Sequence, residues 1–553
     1  MFLAINFFAI PFSIWAEAKN MVEGNDAVLR KTIKLLLYGS TSFLGIASLI
    51  LFLFNKSKIG IGLFLLGVFS LYVDYSYVMI TGDYFSLDYM VMVLTEKAQI
   101  YNILYFYKWK VLGGVALSIA LATSFLFLRR LIQVRFSLLL ALFCYALCLT
   151  QATYILRKTG GLREKYIAST RIPSLLIYLK LNGQYHSLGM PFTSRELNSS
   201  ITPTHSSPQT ILYFVDESIT GSYLSINGYK EETTPYLKKI EGSYLNLGMA
   251  SSVSNTSSLS NYILRNGVQL KDIPDKGNKT LSFPSLFSYA KRAGYQTLFI
   301  DAQLYNNSRV QNFFSHKEKV NIDKYLTDDG NHKRSQKDFV LLDSLVSFLS
   351  QNPKSFVFFV KNGMHIPYFM QYPEEKEYFK PTYTSIANQL GAISSEKRSA
   401  LLNTYKNGLL WTVDHFIQTL LEKVNKESTV IIYTSDHGQS LEDESVSMTH
   451  GTKKNPPLVQ ANVPLLLFGT PLLERFKTGI TKDCYTQFQI FPSLLALMGY
   501  PQKVTEPYGM PLWVGPDSRS RKFISRSLWH AKPIINDIPC STEKKLSLEP
   551  LNL

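Results

Sequence analysis

The distribution of apolar residues constrains this chain more than any other feature. Within the first 157 of 553 residues, four segments at about 32–54, 60–81, 109–128 and 136–156 are each long and apolar enough to span a bilayer. A fifth, at about 2–16, is shorter and interrupted by Pro11. No small-residue cleavage site follows it, so it reads as a first span rather than a signal peptide. Residues 1–157 are therefore expected to form a membrane domain of about five helices. The basic loops Asn55-Lys56-Ser57-Lys58 and Arg129-Arg130 to Arg135 fall on one side, which the positive-inside rule makes cytoplasmic. Everything after residue 157 then lies outside, with Lys108 and Lys110 on the less favoured side. The loop at 82–108 carries Leu87, Met90, Val91, Leu94, Ala98 and Tyr101 at helical spacing, the pattern of a helix lying along the outer membrane face.

The chain carries 57 Lys and Arg against 41 Asp and Glu. No basic block is interleaved with aromatics in the patterns that read nucleic acid, so no nucleic-acid partner is expected. A surface working beside anionic lipid accounts for the excess. Cys144 and Cys148 lie in an apolar segment, where free thiols behave as small hydrophobes. Cys484 and Cys540 can form one disulfide if their domain faces an oxidising compartment. Residues 158–207, with Gly160-Gly161 and the Asn- and Ser-rich run from Asn198, read as a connector with a helix at 174–182.

From about 208 the pattern becomes short apolar strands alternating with amphipathic helices, the signature of an α/β sheet. Four of these strands end in polar residues with chemistry. Ile211–Val215 ends at Asp216-Glu217-Ser218, Thr297–Ile300 at Asp301, Phe356–Val360 runs towards Gly363-Met364-His365, and Val430–Tyr433 ends near Asp436-His437. In open α/β sheets ligands bind at the carboxyl ends of strands, so four such endings point to a site. Asp436-His437-Gly438 offers an oxygen and a nitrogen ligand to one borderline-soft metal such as zinc, followed by a glycine that lets the backbone turn sharply. The hydroxyl-rich stretch from Met249 to Ser260 leads into a helix expected at 257–265. By itself such a cluster is a helix cap; beside a metal, a hydroxyl there can lose its proton near neutral pH.

Taken in order, these residues resemble a known family. Glu217-Ser218, Leu224-Ser-Ile-Asn-Gly-Tyr229 and Glu232-Thr-Thr-Pro235 are followed by the turn around Thr256 and by Gly363-Met364-His365-Ile-Pro367-Tyr368 with Tyr372-Pro373. Ser435-Asp-His-Gly438 and His450-Gly451 close the series. The set resembles the motifs of the phosphoethanolamine transferases of the Gram-negative envelope, members of the alkaline phosphatase/sulfatase superfamily.

The resemblance implies an α/β chain in which a bundle of about five transmembrane helices (1–157, with the outer-face loop 82–108) precedes a connector (158–207) and a periplasmic sulfatase-like α/β/α sandwich (208–553). It implies transfer of phosphoethanolamine from phosphatidylethanolamine, through a threonine intermediate, to a lipopolysaccharide or lipooligosaccharide acceptor in lipid A or the inner core, by a monomer in contact with inner-membrane lipid. Glu217, Thr256, Asp436 and His437 match the zinc site, with Thr256 the nucleophile over Ser254, Ser257 and Ser258 by motif register. His365 and His450 match histidines that contact the phosphoryl group, protonate the leaving group or hold further metal, so one zinc ion is required and a second allowed. Thr95 matches a lipid-contacting threonine. Departures are Asp216 in place of a glycine before the first glutamate, Val91 and Gln99 where Asn and Glu are expected, and fewer cysteines. The C/S-x-P-x-R motif that a sulfatase needs is absent near 256, which argues against sulfatase chemistry. A glycerol-phosphate transferase, a phosphodiester hydrolase and an inactive membrane scaffold are the alternatives.

Overall fold

The computed structural model describes residues 25–55, 57–81, 108–131, 136–159, 168–181, 197–275, 279–305, 316–384, 395–441, 449–452, 455–476, 480–516, 520–525, 528, 534–540 and 545–546. The segment 2–16 and the outer-face loop at 82–107, with Val91, Thr95 and Gln99, lie outside the described residues. The chain divides into two units, Met1–Pro191 and Phe192–Leu553.

The first unit contains α1 (Asn25–Phe54), α2 (Lys58–Thr81), α3 (Lys108–Leu131), α4 (Leu138–Thr159) and α5 (Ala168–Leu181). Among the described residues, Leu138–Ile155 is long and apolar enough to cross a membrane. α1 packs on α4, with the Phe52 and Tyr145 rings edge to face at 5.4 Å and the Thr41 hydroxyl 3.0 Å from Gln151 Oε1. α5 starts six residues before the helix expected at 174–182. Its early polar residues find partners inside this unit: Arg171 Nε meets Asp74 Oδ1 at 3.0 Å, both buried, and Ile172 N donates to Ser70 Oγ at 3.1 Å. Those side chains, which by composition suggest a loop, are what dock the helix.

In the second unit, seven strands among the described residues form one sheet in the order β2-β7-β6-β1-β5-β3-β4. They are β1 (Thr210–Asp216), β2 (Leu245–Ser251), β3 (Gln296–Tyr305), β4 (Lys324–Asp328), β5 (Ser355–Val360), β6 (Thr429–Ser435) and β7 (Asn462–Phe468). Neighbours are parallel except that β7 runs antiparallel to β6 and β2. β1, β5 and β6 are buried along their whole length, as continuous β-branched and aromatic runs require. Alternate side chains enter opposite layers. Leu212, Phe214, Val357, Phe359 and Ile431 pack in one core with residues of α8 (Arg334–Gln351), α9 (Ser395–Leu409) and α10 (Phe416–Lys423). On the other face Phe287, from α7 (Leu286–Arg292), meets Phe356 at 5.7 Å. α6 (Ser257–Asn266) follows β2. Cys484 and Cys540 are bonded, their Cα atoms 4.8 Å apart.

Strand register sets what leaves the carboxyl edge. Asp216 lies opposite Ser435, and Val360 lies opposite both Val215 and Asp301. The four endings read from the sequence are therefore level. Just behind them sits a buried charge cluster. Lys361 Nζ contacts Asp216 Oδ2 and lies 3.8 Å from Asp338 Oδ2, with the Phe416 ring centroid 3.9 Å away. It also donates to the Thr412 carbonyl, in the π-helical turn Leu410–His415 between α9 and α10. The wide turn displaces that carbonyl from regular α pairing, and the lysine satisfies it. Asp338 in turn accepts from Asn362 N at 2.7 Å and Gly363 N at 3.2 Å. At Gly363 (φ 44°) an added Cβ would lie 2.0 Å from Asp216 Oδ1, so only glycine fits this approach.

Removing one partner of a buried ion pair strands the other charge. Lys361→Met should destabilise the second unit by about 3–5 kcal/mol. The check is a lower denaturant midpoint at unchanged slope.

Candidate active site

Because Asp216 and Ser435 are paired, Glu217 and Asp436 leave adjacent strands side by side, and His437 follows at once. Ligand atoms of Glu217, Asp436 and His437 all lie within 4.8 Å of one another, and all three residues are buried. His437 Nε2 is 3.6 Å from both Glu217 Oε1 and Asp436 Oδ2. His437 Nδ1 faces the Gly438 carbonyl at 3.0 Å. A proton on that nitrogen leaves Nε2 with its lone pair toward the acids, the usual arrangement behind a metal-binding imidazole.

Each acid is held by donors that carry no charge. Asp436 Oδ1 accepts from Ser218 N at 2.9 Å and His437 N at 2.7 Å. Asp436 Oδ2 is buried without a hydrogen-bond partner among the described residues. Glu217 Oε1 accepts from the Ser218 hydroxyl at 2.5 Å, and Oε2 from Gln303 Nε2 at 2.8 Å. Gln303 Nε2 also reaches the Lys361 carbonyl at 2.9 Å, tying β3 to the strand end beside it. Burial, and then the neighbouring Glu217, push the Asp436 carboxyl up to about 8. Burial also raises Glu217. Two oxygen donors and one nitrogen donor, with an orphaned carboxylate oxygen among them, fit a divalent cation of the zinc type.

The motif register expects the reactive hydroxyl at Thr256, and two neighbouring hydroxyls stand at this turn. Thr256 is the extended residue before α6 (φ −140°, ψ 137°) and makes no side-chain cap; its hydroxyl lies 3.3 Å from Ser254 Oγ. Ser257 is the first helical residue, and its Oγ lies 3.1 Å from His437 Nε2 and 3.4 Å from Glu217 Oε1. A change from extended to helical backbone rotates consecutive side chains to different sides. Among the described residues, the hydroxyl in hydrogen-bonding contact with the cluster is that of Ser257.

His450 stacks on His437, ring centroids 4.3 Å apart. Its Nδ1 lies 3.3 Å from both Gln439 Nε2 and Thr449 Oγ1. Burial, followed by His437 and His365, holds it well below the ordinary histidine value. His365 Nδ1 faces the Ile366 carbonyl at 3.0 Å. Burial and then the Arg334 cation hold His365 at about 4. Both imidazoles are thus neutral at pH 7. Asp301 is buried and accepts from Gln303 N at 3.0 Å; it is Gln303, two residues on, whose side chain reaches Glu217. Sequence reading meets Ser218 only as part of a motif and Ser257 only as an alternative to Thr256, and it passes over Gln303 and Gln439. Gln303 and Gln439 are uncharged, and nothing in local spacing distinguishes them.

The Sulfatase family model matches residues 209–500. The chain is 24% identical over 275 residues to the Kdo(2)-lipid A phosphoethanolamine 7''-transferase of Salmonella typhimurium, covering 48% of this chain and 46% of that protein. It is 26% identical over 314 residues to the phosphoethanolamine transferase EptA of Helicobacter pylori, covering 54% of each. The chain spans about half the length of the curated relatives it matches. The structure shares its fold with the integral membrane lipooligosaccharide phosphoethanolamine transferase A of Neisseria meningitidis, at 19% identity and a TM-score of 0.57, over 91% of this chain and 97% of that one.

A carboxyl raised from 3.8 to about 8 on folding stabilises the metal-free fold at acid pH, and that contribution is lost as pH rises through the folded value. A cation needs the ionised carboxylates, so zinc binding should strengthen over the same rise. Melting curves between about pH 5 and 8 check both signs. The contribution of this carboxyl to the metal-free melting temperature should fall with rising pH, an Asp436→Asn form serving as the baseline. The increment produced by zinc should grow.

Proposed function

Because the chain belongs to the Sulfatase family, we propose that it is a membrane-anchored phosphoethanolamine transferase, taking phosphoethanolamine from phosphatidylethanolamine and passing it to a lipopolysaccharide acceptor. The observation that carries this reading is the meeting of Glu217, Asp436 and His437 with one serine hydroxyl at the carboxyl edge of a parallel sheet. The names of the similar Salmonella and Helicobacter proteins support phosphoethanolamine as the transferred group and the lipid A–inner core region as acceptor. We read residues 1–157 as a multi-pass inner-membrane domain of about five helices, 158–207 as a connector and 208–553 as a periplasmic catalytic domain. The basic loops support that orientation, and the Cys484–Cys540 bond supports an oxidising compartment on the catalytic side. Covalent attachment to a membrane anchor raises the effective concentration of lipid substrates, and Thr95 is retained as a donor-lipid contact.

Glu217, Asp436 and His437 would hold zinc, with His365 and His450 available to a second ion. Bound there, zinc supplies Lewis-acid stabilisation of negative charge on oxygen. Ser257 Oγ attacks the phosphorus of the donor phosphodiester, forming a phosphoethanolamine-serine ester as the bond to the diacylglycerol oxygen breaks. The backbone N–H groups of the first turn of α6, with no side-chain cap to take them, favour the anionic phosphoryl group. The serine proton must reach the departing alkoxide. His365, neutral and with Nδ1 committed to a carbonyl, takes it up at Nε2 and hands it on. His450, with Nδ1 accepting from Gln439, presents Nε2–H to a phosphoryl oxygen. The acceptor oxygen then displaces Ser257 at phosphorus, the proton it gives up returns to the serine oxygen, and the enzyme is regenerated.

Intact mass of the full-length protein after incubation with phosphatidylethanolamine and zinc tests this. Wild type and Thr256→Ala should each gain one phosphoethanolamine, whereas Ser257→Ala should gain none and lose at least ~10³-fold in turnover. Loss confined to Thr256→Ala would return the nucleophile to Thr256. A glycerol-phosphate adduct from another lipid would overturn the assigned donor.

A further inference from the structure

Ser218 is an anomaly of backbone conformation. Among the described residues, twelve glycines take positive φ, and only three other residues do: Ser218 at 64°, Asn455 at 50° and Asp483 at 61°. Asn and Asp tolerate this region; serine has no such allowance, and a glycine would sit there without strain. What serine supplies over glycine is one hydroxyl. That hydroxyl donates to Glu217 Oε1 at 2.5 Å and accepts from Gln439 Nε2 at 2.7 Å. The left-handed turn also aims the two backbone groups apart. Ser218 N donates to Asp436 Oδ1 at 2.9 Å, and the Ser218 carbonyl accepts from the buried Tyr405 hydroxyl at 2.6 Å. Strained residues persist where the surroundings over-determine them, and they gather at functional sites.

We propose that Ser218 is a positioning residue of the metal centre, its left-handed backbone and its hydroxyl together orienting Glu217 and Asp436 toward the cation. This inference rests on the metal-site reading above and goes beyond it, because Ser218 itself is not a ligand. The backbone amide fixes one oxygen of Asp436 and leaves Oδ2 facing the centre. The hydroxyl fixes Glu217 Oε1 while Gln303 holds Oε2, so the glutamate cannot rotate about its terminal bond. Partners of this kind change metal affinity by about 10–100-fold when removed.

Ser218→Gly and Ser218→Ala separate the two halves of the argument. Both lose the hydroxyl, whereas only glycine accepts positive φ without strain. In the full-length protein, zinc affinity measured against a competing chelator should fall about 10–100-fold in both variants. The metal-free melting temperature should rank glycine above alanine. Cobalt substituted for zinc should give an altered visible spectrum in both, a readout that stability alone does not move. Wild-type affinity in either variant, or affinity losses that follow the melting temperatures instead of the shared hydroxyl loss, would overturn the proposal. Absence of zinc binding by the wild-type protein would overturn the metal-site reading itself, and this inference with it.

Discussion

Two carboxylates buried side by side repel each other, and the second unit is organised around making that pair tenable. Glu217 and Asp436 emerge from neighbouring parallel strands because Asp216 and Ser435 are in register. A slip of one residue would turn one of them to the opposite face of the sheet. Around them the fold supplies serine, glutamine and backbone donors, which stabilise negative charge without cancelling it. Among the described residues, the ion-pair contacts of Glu217 and Asp436 are with His437 alone. The centre therefore keeps a net demand for positive charge, which a divalent cation would meet.

The protein's own cation sits one residue further back. Lys361 neutralises Asp216 rather than Glu217, and Asp338 binds the following loop through two backbone amides. Asp216 replaces a glycine expected from the resemblance, so an additional charge beside the centre was to be accounted for. The structure accounts for it by a pairing wholly within the core. Lys361 thus links β1, β5 and the turn between α9 and α10 while leaving the carboxylates in front of it unquenched.

Much of this was legible in the sequence because parallel strands write their burial as continuous apolar runs and their ends as abrupt polarity. The ends at Glu217, Asp301 and Asp436 could be found that way, and so could the gathering of His437 with the two acids. Which hydroxyl contacts Glu217 and His437 was not, because the difference between Thr256 and Ser257 is a backbone dihedral at a helix start. Gln303 was missed for another reason. Asp301, with the stronger chemical signature, stands two residues before it, and β3 continues past Asp301 far enough to bring the amide to Glu217. The Lys361–Asp216 pair spans 145 residues, and no local pattern announces it. Helix α5 was only half read, since Arg171 looks like a loop residue until Asp74 is placed opposite it.

The π turn at Leu410–His415 bears on how this chain can change length. A π turn closes its hydrogen-bonded ring over one residue more than an α turn, so deleting a single residue there would restore a regular helix. It would also rotate everything on one side of the deletion by about 100° relative to the other. Tyr405 lies upstream of the turn and reaches the Ser218 carbonyl. Downstream, Phe416 packs under Lys361. No continuous α-helix could keep both docked, so the extra residue works as a phase adjuster between two fixed appointments. Insertions and deletions elsewhere along α9 and α10 would be judged by the same angular bookkeeping, while surface loops of this domain are free of it.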